Sequence, residues 1–385
     1  MSDVLPDQTI QFAAPDIDPA DIAAVVAVLE RGWITTGDEC SSFESELAEH
    51  LGAPHVIAMA SCTAALETAA AWLRLPRGTR VGVPTWTFAS SALVLAHQGY
   101  VPVLLDVDPA TLNVSAEAID AAAANDDIKA LLLVHYAGVP VGADARAAAE
   151  THGLSVIEDA AHALGATDDR GAVWGQGSVA GCFSFYATKN LTSAEGGALA
   201  TADDDVAAFA RSFRQHGMSA DAWSRYRPGA KPRYDIHVDG IKANFPDILA
   251  ALARSQLRRF DALQQKRREL HLRYHANLAP VAAVRMVPSE PVPGSADHLA
   301  VVRLEPSLDR DRIVEALAAA GIGSSVHFVP LHQMSWFKKN ARICAKGVDN
   351  AELAAPSILS LPLHTKLAPV DVDRVCSVLA DAVEV

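Results

Sequence analysis

The stretch GCFSFYATKNLTSAEGG (181–197) opens as an apolar, aromatic run that reads as a buried strand. It then delivers Lys189 into a turn of small and polar residues closed by Gly196 and Gly197. A surface lysine needs no such approach. A lysine that bonds covalently to a carbonyl does, because it must be held still and partly shielded from water. Such a lysine tethers an aldehyde cofactor as a Schiff base. Once an incoming amine displaces it, it becomes the base that moves the Cα proton. Lys189 is therefore the candidate catalytic residue.

Asp159 ends the run LSVIED (154–159). A strand-terminal acid reads equally as a helix cap, but a pyridoxal cofactor needs an acid against its ring nitrogen to act as an electron sink. Glu158 points to the other face of the strand, so Asp159 is the one that faces a crevice. His162, in DAAH, reads either as a contact of the cofactor phenolate or as a structural histidine. Ser61, Cys62 and Thr63 stand where HVIAMA (55–60) gives way to a helix. Free N–H groups at such a junction bind phosphate, and a plain N-cap is the alternative. Ser184 could donate a hydroxyl to the same phosphate. In PTWTFAS (84–90), both Phe88 and Trp86 are placed to stack on a pyridine ring, with core packing as the other reading. The glycines of GQGSVAG (175–181) precede a strand instead of joining strand to helix, so they are no dinucleotide fingerprint. Neither a phosphate-binding Walker loop nor an HExxH metal motif occurs, and no metal ligand set is expected.

The elements that must hold these residues follow from periodicity. Apolar runs at 55–60, 80–84, 101–108, 130–138 and 154–159 alternate with helical patterns. Continuous apolar strands between helices mean a mostly parallel sheet covered on both faces, with ligands beyond the carboxyl ends of its strands. From Phe245 to Tyr274 the pattern predicts one long helix. After a Pro-rich stretch (287–298) come a strand (299–304), a helix, a strand (IGSSVHF, 322–328) and a last helix, a smaller α+β unit. The expected division is 1–255, a large α/β domain with an N-terminal arm, and 256–385, a small C-terminal α+β domain. A chain of 385 residues suits such a pair. No apolar run is long enough to span a membrane, and no signal peptide is expected. Five cysteines without CxxC spacing read as reduced thiols, so the expected location is cytoplasmic. A net charge of −14 argues against nucleic acid as a partner.

The segments GWITTG (32–37), VIEDAAHALGA (156–166), FSFYATKNLTSAEGG (183–197) and IKANFPDILAALARSQL (241–257) resemble the pyridoxal-phosphate-dependent aminotransferases of nucleotide-sugar pathways. VHYAG (134–138), RQHGMSADAW (214–223) and ILSLPLH (358–364) extend the likeness over nearly the whole chain. Within that family the look is nearest to the aminotransferase that makes UDP-4-amino-4-deoxyarabinose. The resemblance implies an α/β fold of the aspartate-aminotransferase kind (fold type I), pyridoxal 5'-phosphate as cofactor, and a homodimer with shared active sites. It gives Lys189 the Schiff base, Asp159 the pyridine nitrogen and His162 the phenolate. Cys62, Thr63 and Ser184 become the phosphate cradle, and Phe88 rather than Trp86 the stacking aromatic. A residue at Lys242 or Asn244 is expected to reach the partner's phosphate. The chain reads GIKANF there, without the tyrosines that relatives commonly carry, and which of the two crosses is left open.

The implied reaction moves an amino group from L-glutamate to a nucleotide-linked keto sugar. C4 of a 4-keto-6-deoxyhexose or 4-keto-pentose is the first expectation, and C3 of a 3-keto sugar the alternative. His327 and His332, in VHFVPLH, are candidates for the sugar entrance and read equally as structural. Lys189 excludes the sugar-dehydrating branch of the family, which carries histidine at this position. An inert cofactor or nucleotide-sugar sensor is the competing class.

Overall fold

The computed structural model describes residues 9–219 and 234–384, so 220–223 of the RQHGMSADAW segment lie outside the described residues. The chain starts with two helices, α1 (Pro19–Arg31) and α2 (Asp38–Leu51). The alternating series follows: β1 (His55–Met59), α3 (Cys62–Trp72), β2 (Arg80–Pro84), α4 (Ala89–His97), β3 (Val101–Leu105), α5 (Ala116–Asn125), β4 (Ala130–Val134), α6 (Ala143–Thr151) and β5 (Ser155–Asp159). A two-stranded ribbon, β6 (Thr167–Asp168) and β7 (Gly171–Ala172), precedes β8 (Ala180–Ser184), β9 (Gly197–Thr201) and α7 (Asp204–Phe213).

These strands and a late arrival, β12 (Arg342–Ile343), form one eight-stranded sheet in the order β1-β9-β8-β5-β4-β2-β3-β12. Every pairing is parallel except those made by β9, which runs against both β1 and β8. Side chains alternate between two covered faces, as β4 shows. Leu131 and Leu133 pack with Ile119 and Ala145 under α5 and α6, whereas Leu132 and Val134 pack with Leu66 and Leu95 under α3 and α4. Burial of each such leucine contributes about 1.5–3 kcal/mol.

The remainder comprises α8 (Asp247–Arg258), α9 (Phe260–Leu278), β10 (Val284–Met286), β11 (Ala300–Leu304), α10 (Arg310–Ala319), α11 (Ser335–Asn340), α12 (Asp349–Ala354), β13 (Ile358–Leu361) and α13 (Pro369–Val383). An antiparallel β10-β11-β13 sheet carries its own core, in which Leu270 and Tyr274 of α9, Leu317 of α10 and Val375 of α13 meet. Ile10 joins that core and bridges Ile322, so the N-terminal arm runs onto the C-terminal unit.

Two expectations change. The long helix over 245–274 is two helices, because Arg259 leaves helical geometry (φ −114°, ψ 10°). Its guanidinium turns to Asp16, Asp18 and Asp21, clamping the N-terminal segment and α1 at the break. The division expected at 255/256 falls inside α8, just before this junction. IGSSVHF is not a strand: it makes only isolated bridges, Ile322 to Ile10 and Ser325 to Ser360, and β13 supplies the third strand instead. The His327 carbonyl is taken by side chains, accepting from Trp86 Nε1 (3.2 Å) and the Tyr136 hydroxyl.

Gly197 pairs with Met59 on one side and Ser184 on the other, which presses β9 onto the start of α3. A Cβ at Gly197 would lie 2.3 Å from the Cys62 nitrogen and 2.7 Å from the Phe183 oxygen, both backbone. Gly197→Ala should therefore destabilise the chain by about 1–3 kcal/mol, read as a lowered urea midpoint. A variant as stable as its parent would show that this contact relaxes freely.

Candidate active site

The crossovers bring the carboxyl ends of β1, β2, β4, β5 and β8 to one edge of the sheet. The reversed strand β9 begins there with Gly197. A cavity of about 450 Å³ opens along that edge. Ser61, Cys62, Thr63, Phe88, Asp159, His162, Ser184, Lys189 and His327 all line it, so nearly all of the residues singled out from sequence meet there.

Lys189 is half-buried in the turn after β8, where its backbone N–H donates to the Tyr186 carbonyl (2.9 Å). Burial pushes its ammonium down to about 8, against the opposing pull of Cys62 and Asp159. Asp159 is 6 % exposed. Burial pushes its carboxyl up, and hydrogen bonds from Ser91 Oγ (2.7 Å) and the Ala161 N–H (3.1 Å) work to keep it ionised. Because Ser91 spends its proton on Asp159, Thr87 Oγ1 must be the donor in its 2.8 Å contact with Ser91. Glu158 faces the opposite side of β5, as expected. Burial opposes its charge too, but His135 (2.8 Å) and Ser178 (2.7 Å) donate to it and hold its carboxyl below the ordinary range.

Ser61 caps α3, its Oγ accepting from the Ala64 N–H (3.1 Å). The N–H groups of the first turn are thus presented to the cavity at the positive end of the helix dipole. Ser184 ends β8 across from Gly197. Phe88 is 60 % exposed at the start of α4, whereas Trp86 is fully buried, edge-on to Tyr136. Phe88 is therefore the aromatic that presents a free face, and Trp86 is core. His162 stacks on Phe328 (5.9 Å, 18°), and its Nδ1 is buried with no protein partner. Burial and Lys189 hold it neutral.

Three expected positions stand elsewhere. His332 does not line the cavity; its Nδ1 meets Thr85 Oγ1 at 2.7 Å and its ring lies against Glu352. It is held there because the 331–333 turn is bonded down onto the loop after β2. Lys242 and Asn244 also lie outside the cavity of the single chain. The cavity adds residues that sequence reasoning missed: Phe12, Thr87, Tyr186, Glu195 and His298. Ser91 and Thr87 carried a readable signal, as hydroxyls in the loop and helix after β2. Phe12 and His298 carried none, since only the folding of the arm and of the 295–298 turn brings them in.

A buried carboxylate, a lysine with a depressed ammonium, an exposed aromatic face and a capped helix start fit pyridoxal phosphate group for group. The orphaned His162 Nδ1 fits the same ligand, since a buried polar atom ordinarily has a partner. No helix among the described residues is long and apolar enough to cross a membrane.

Residues 15–380 match the model of the DegT/DnrJ/EryC1/StrS aminotransferase family. Similar solved structures include Spr1654 of Streptococcus pneumoniae, described as a sugar aminotransferase and solved in its PLP form. It is 29% identical over 98% of this chain and 99% of its own, with a TM-score of 0.89. PseC of Helicobacter pylori, an aminotransferase in pseudoaminic acid biosynthesis, is 27% identical over 98% and 100%, TM-score 0.90. DesI, solved with its TDP-sugar product, is 28% identical over 98% and 94%, TM-score 0.85.

The depressed ammonium can be read directly. In the cofactor-free chain, labelling of Lys189 by an amine-directed reagent should rise with a midpoint near pH 8, because only the neutral amine reacts, against 10.5 for an ordinary lysine. A midpoint at the ordinary value would mean that the amine is solvated.

Proposed function

The chain belongs to the DegT/DnrJ/EryC1/StrS aminotransferase family of PLP-dependent sugar aminotransferases, and on that premise we propose that it transfers an amino group from L-glutamate to the keto carbon of a nucleotide-linked sugar, at C4. The observation that carries this reading is the placement of Lys189 and Asp159 in one cavity, with an aromatic face and a helix N-terminus beside them. The C4 position rests on the sequence likeness to the aminotransferase of 4-amino-4-deoxyarabinose, and C3 is the alternative.

When bound, PLP supplies an aldehyde that captures an amine and a ring that takes up the electron pair left as the Cα proton departs. The residues supply the rest. Lys189, with its ammonium lowered to about 8, would hold the aldehyde and, once freed, would move the Cα proton. Asp159, with Ser91 and Ala161 donating to it, would face the ring nitrogen. Phe88 would cover a ring face, and the first turn of α3 with Ser184 would take the phosphate. His162, with its unpartnered Nδ1, would meet the phenolate, and His327, its Nδ1 3.0 Å from Ser360 Oγ, would stand at the sugar side. Glutamate and the keto sugar use the same cavity in turn, which gives ping-pong kinetics.

The working unit in this proposal is a homodimer in the cytoplasm, with Lys242 reaching the partner's phosphate. Lys242 is exposed, whereas Asn244 is half-buried and donates to Thr36 Oγ1 (2.7 Å), which in turn bonds the Phe245 carbonyl (2.8 Å). One amide N–H of Asn244 is thus committed within its own chain.

Product analysis with glutamate and a panel of nucleotide keto sugars tests the reaction. An aminated product at C4 is expected; no amination of any keto sugar would overturn it. Glutamate alone should bleach the absorbance of the lysine-bound cofactor, which an inert sensor cannot do. Lys189→Ala should abolish turnover without unfolding the chain. Asp159→Asn should lower kcat by roughly 10²-fold, and a change confined to KM would remove Asp159 from the electron-sink role. Mixing Lys189→Ala with Lys242→Ala chains should recover about half of the parent rate per mixed dimer, because one of its two sites is intact. No recovery after demonstrated exchange would exclude Lys242 as the crossing residue.

A further inference from the structure

His298 lines the cavity, is 4 % exposed, and lies with its ring 4.3 Å from that of His162. Its proton position follows from the backbone. The Ala296 carbonyl accepts from both Asn190 Nδ2 (2.7 Å) and Gln264 Nε2 (2.6 Å). A backbone carbonyl can only accept, so neither amide can be reversed. Asn190 Nδ2 also donates to Gln264 Oε1 (3.0 Å), which leaves Asn190 Oδ1 as an obligate acceptor. That oxygen lies 2.8 Å from His298 Nδ1. Nδ1 must therefore carry the proton, and the nitrogen left for the cavity is an unprotonated Nε2. Burial, with His162 and Lys189 nearby, keeps the ring from taking a second proton. The orienting residue, Asn190, directly follows Lys189 in the chain, so the imidazole and the reacting amine are set by one turn.

We propose that His298 is a further residue of the reaction site, a neutral imidazole locked by Asn190 with Nε2 as hydrogen-bond acceptor for a primary amine in the cavity. That amine is Lys189 in the free chain or the amino group of the incoming donor. The role toward the donor rests on the amino-transfer reading. The proton position does not.

The test uses the full chain with ¹⁵N-labelled histidine, His298 being assigned by difference from His298→Asn. In the parent, His298 should show a protonated Nδ1 and a bare Nε2. In Asn190→Ala that signature should mix with the opposite tautomer. A parent ring protonated at Nε2, or a signature unmoved by Asn190→Ala, overturns the proposal whatever the enzyme's substrate. His298→Asn keeps a donor toward Asn190 and removes the Nε2 acceptor. If Lys189 is the amine, its labelling midpoint should fall in this variant, because the ammonium loses an acceptor while Asp159, Cys62, His162 and His327 still face it. If the donor is the amine, the midpoint stays and kcat/KM for glutamate falls roughly 10- to 10²-fold, with the keto-sugar half-reaction less affected. No change in either measurement overturns the acceptor role.

Discussion

The approach of β9 to α3 is the contact on which the site depends. Gly197 is wedged between Met59 and Ser184 in the sheet, with the amide nitrogen of Cys62 directly over the space a side chain would need. Without that close approach, the helix start proposed to bind phosphate and the strand that delivers Lys189 could not share one cavity. The reversed direction of β9 also matters, because the Lys189 turn leaves the chain at the carboxyl edge. Only a strand running the opposite way can start there beside β8 without a long crossover.

Around this contact, the site balances buried charges. Asp159 and Glu158 are neighbours in sequence and lie on opposite faces of β5, each buried and each held by hydroxyl and N–H donors. Ser91 and Ala161 serve Asp159; Ser178 and His135 serve Glu158. A buried carboxylate without such donors would protonate instead of staying charged. At Glu158 the donors outweigh burial, and at Asp159 they oppose its upward push. The imidazoles of His162, His298 and His327 surround the cavity in neutral form, with burial as the leading cause for each. They offer acceptors without adding charge to a pocket in which Lys189 must lose its proton to react with a carbonyl.

Much of this was legible in the chain because the signals are local. A lysine after an aromatic strand, an acid closing an apolar run and a small-residue junction ahead of a helix are each read within a few residues. The parallel fold class places all of them on the same edge. The misreadings were failures of locality. The run 245–274 has helical composition throughout, yet Arg259 breaks it by reaching for acids near residues 16–21. IGSSVHF has strand composition, but Trp86 and Tyr136 capture its His327 carbonyl. His332, which the sequence left open between the sugar entrance and a structural position, is bonded to Thr85.

The sequence by itself determined the α/β class and singled out Lys189, Asp159 and most of the cavity wall, because periodicity and strand ends encode them over short spans. Only the tertiary structure showed Trp86 buried and Phe88 exposed, brought the arm residue Phe12 to the cavity, and revealed His298 with its fixed tautomer. Those outcomes depend on contacts between segments far apart in the chain. Exposure, register and the direction of a hydrogen bond are properties of the packed pair, and no single stretch carries them.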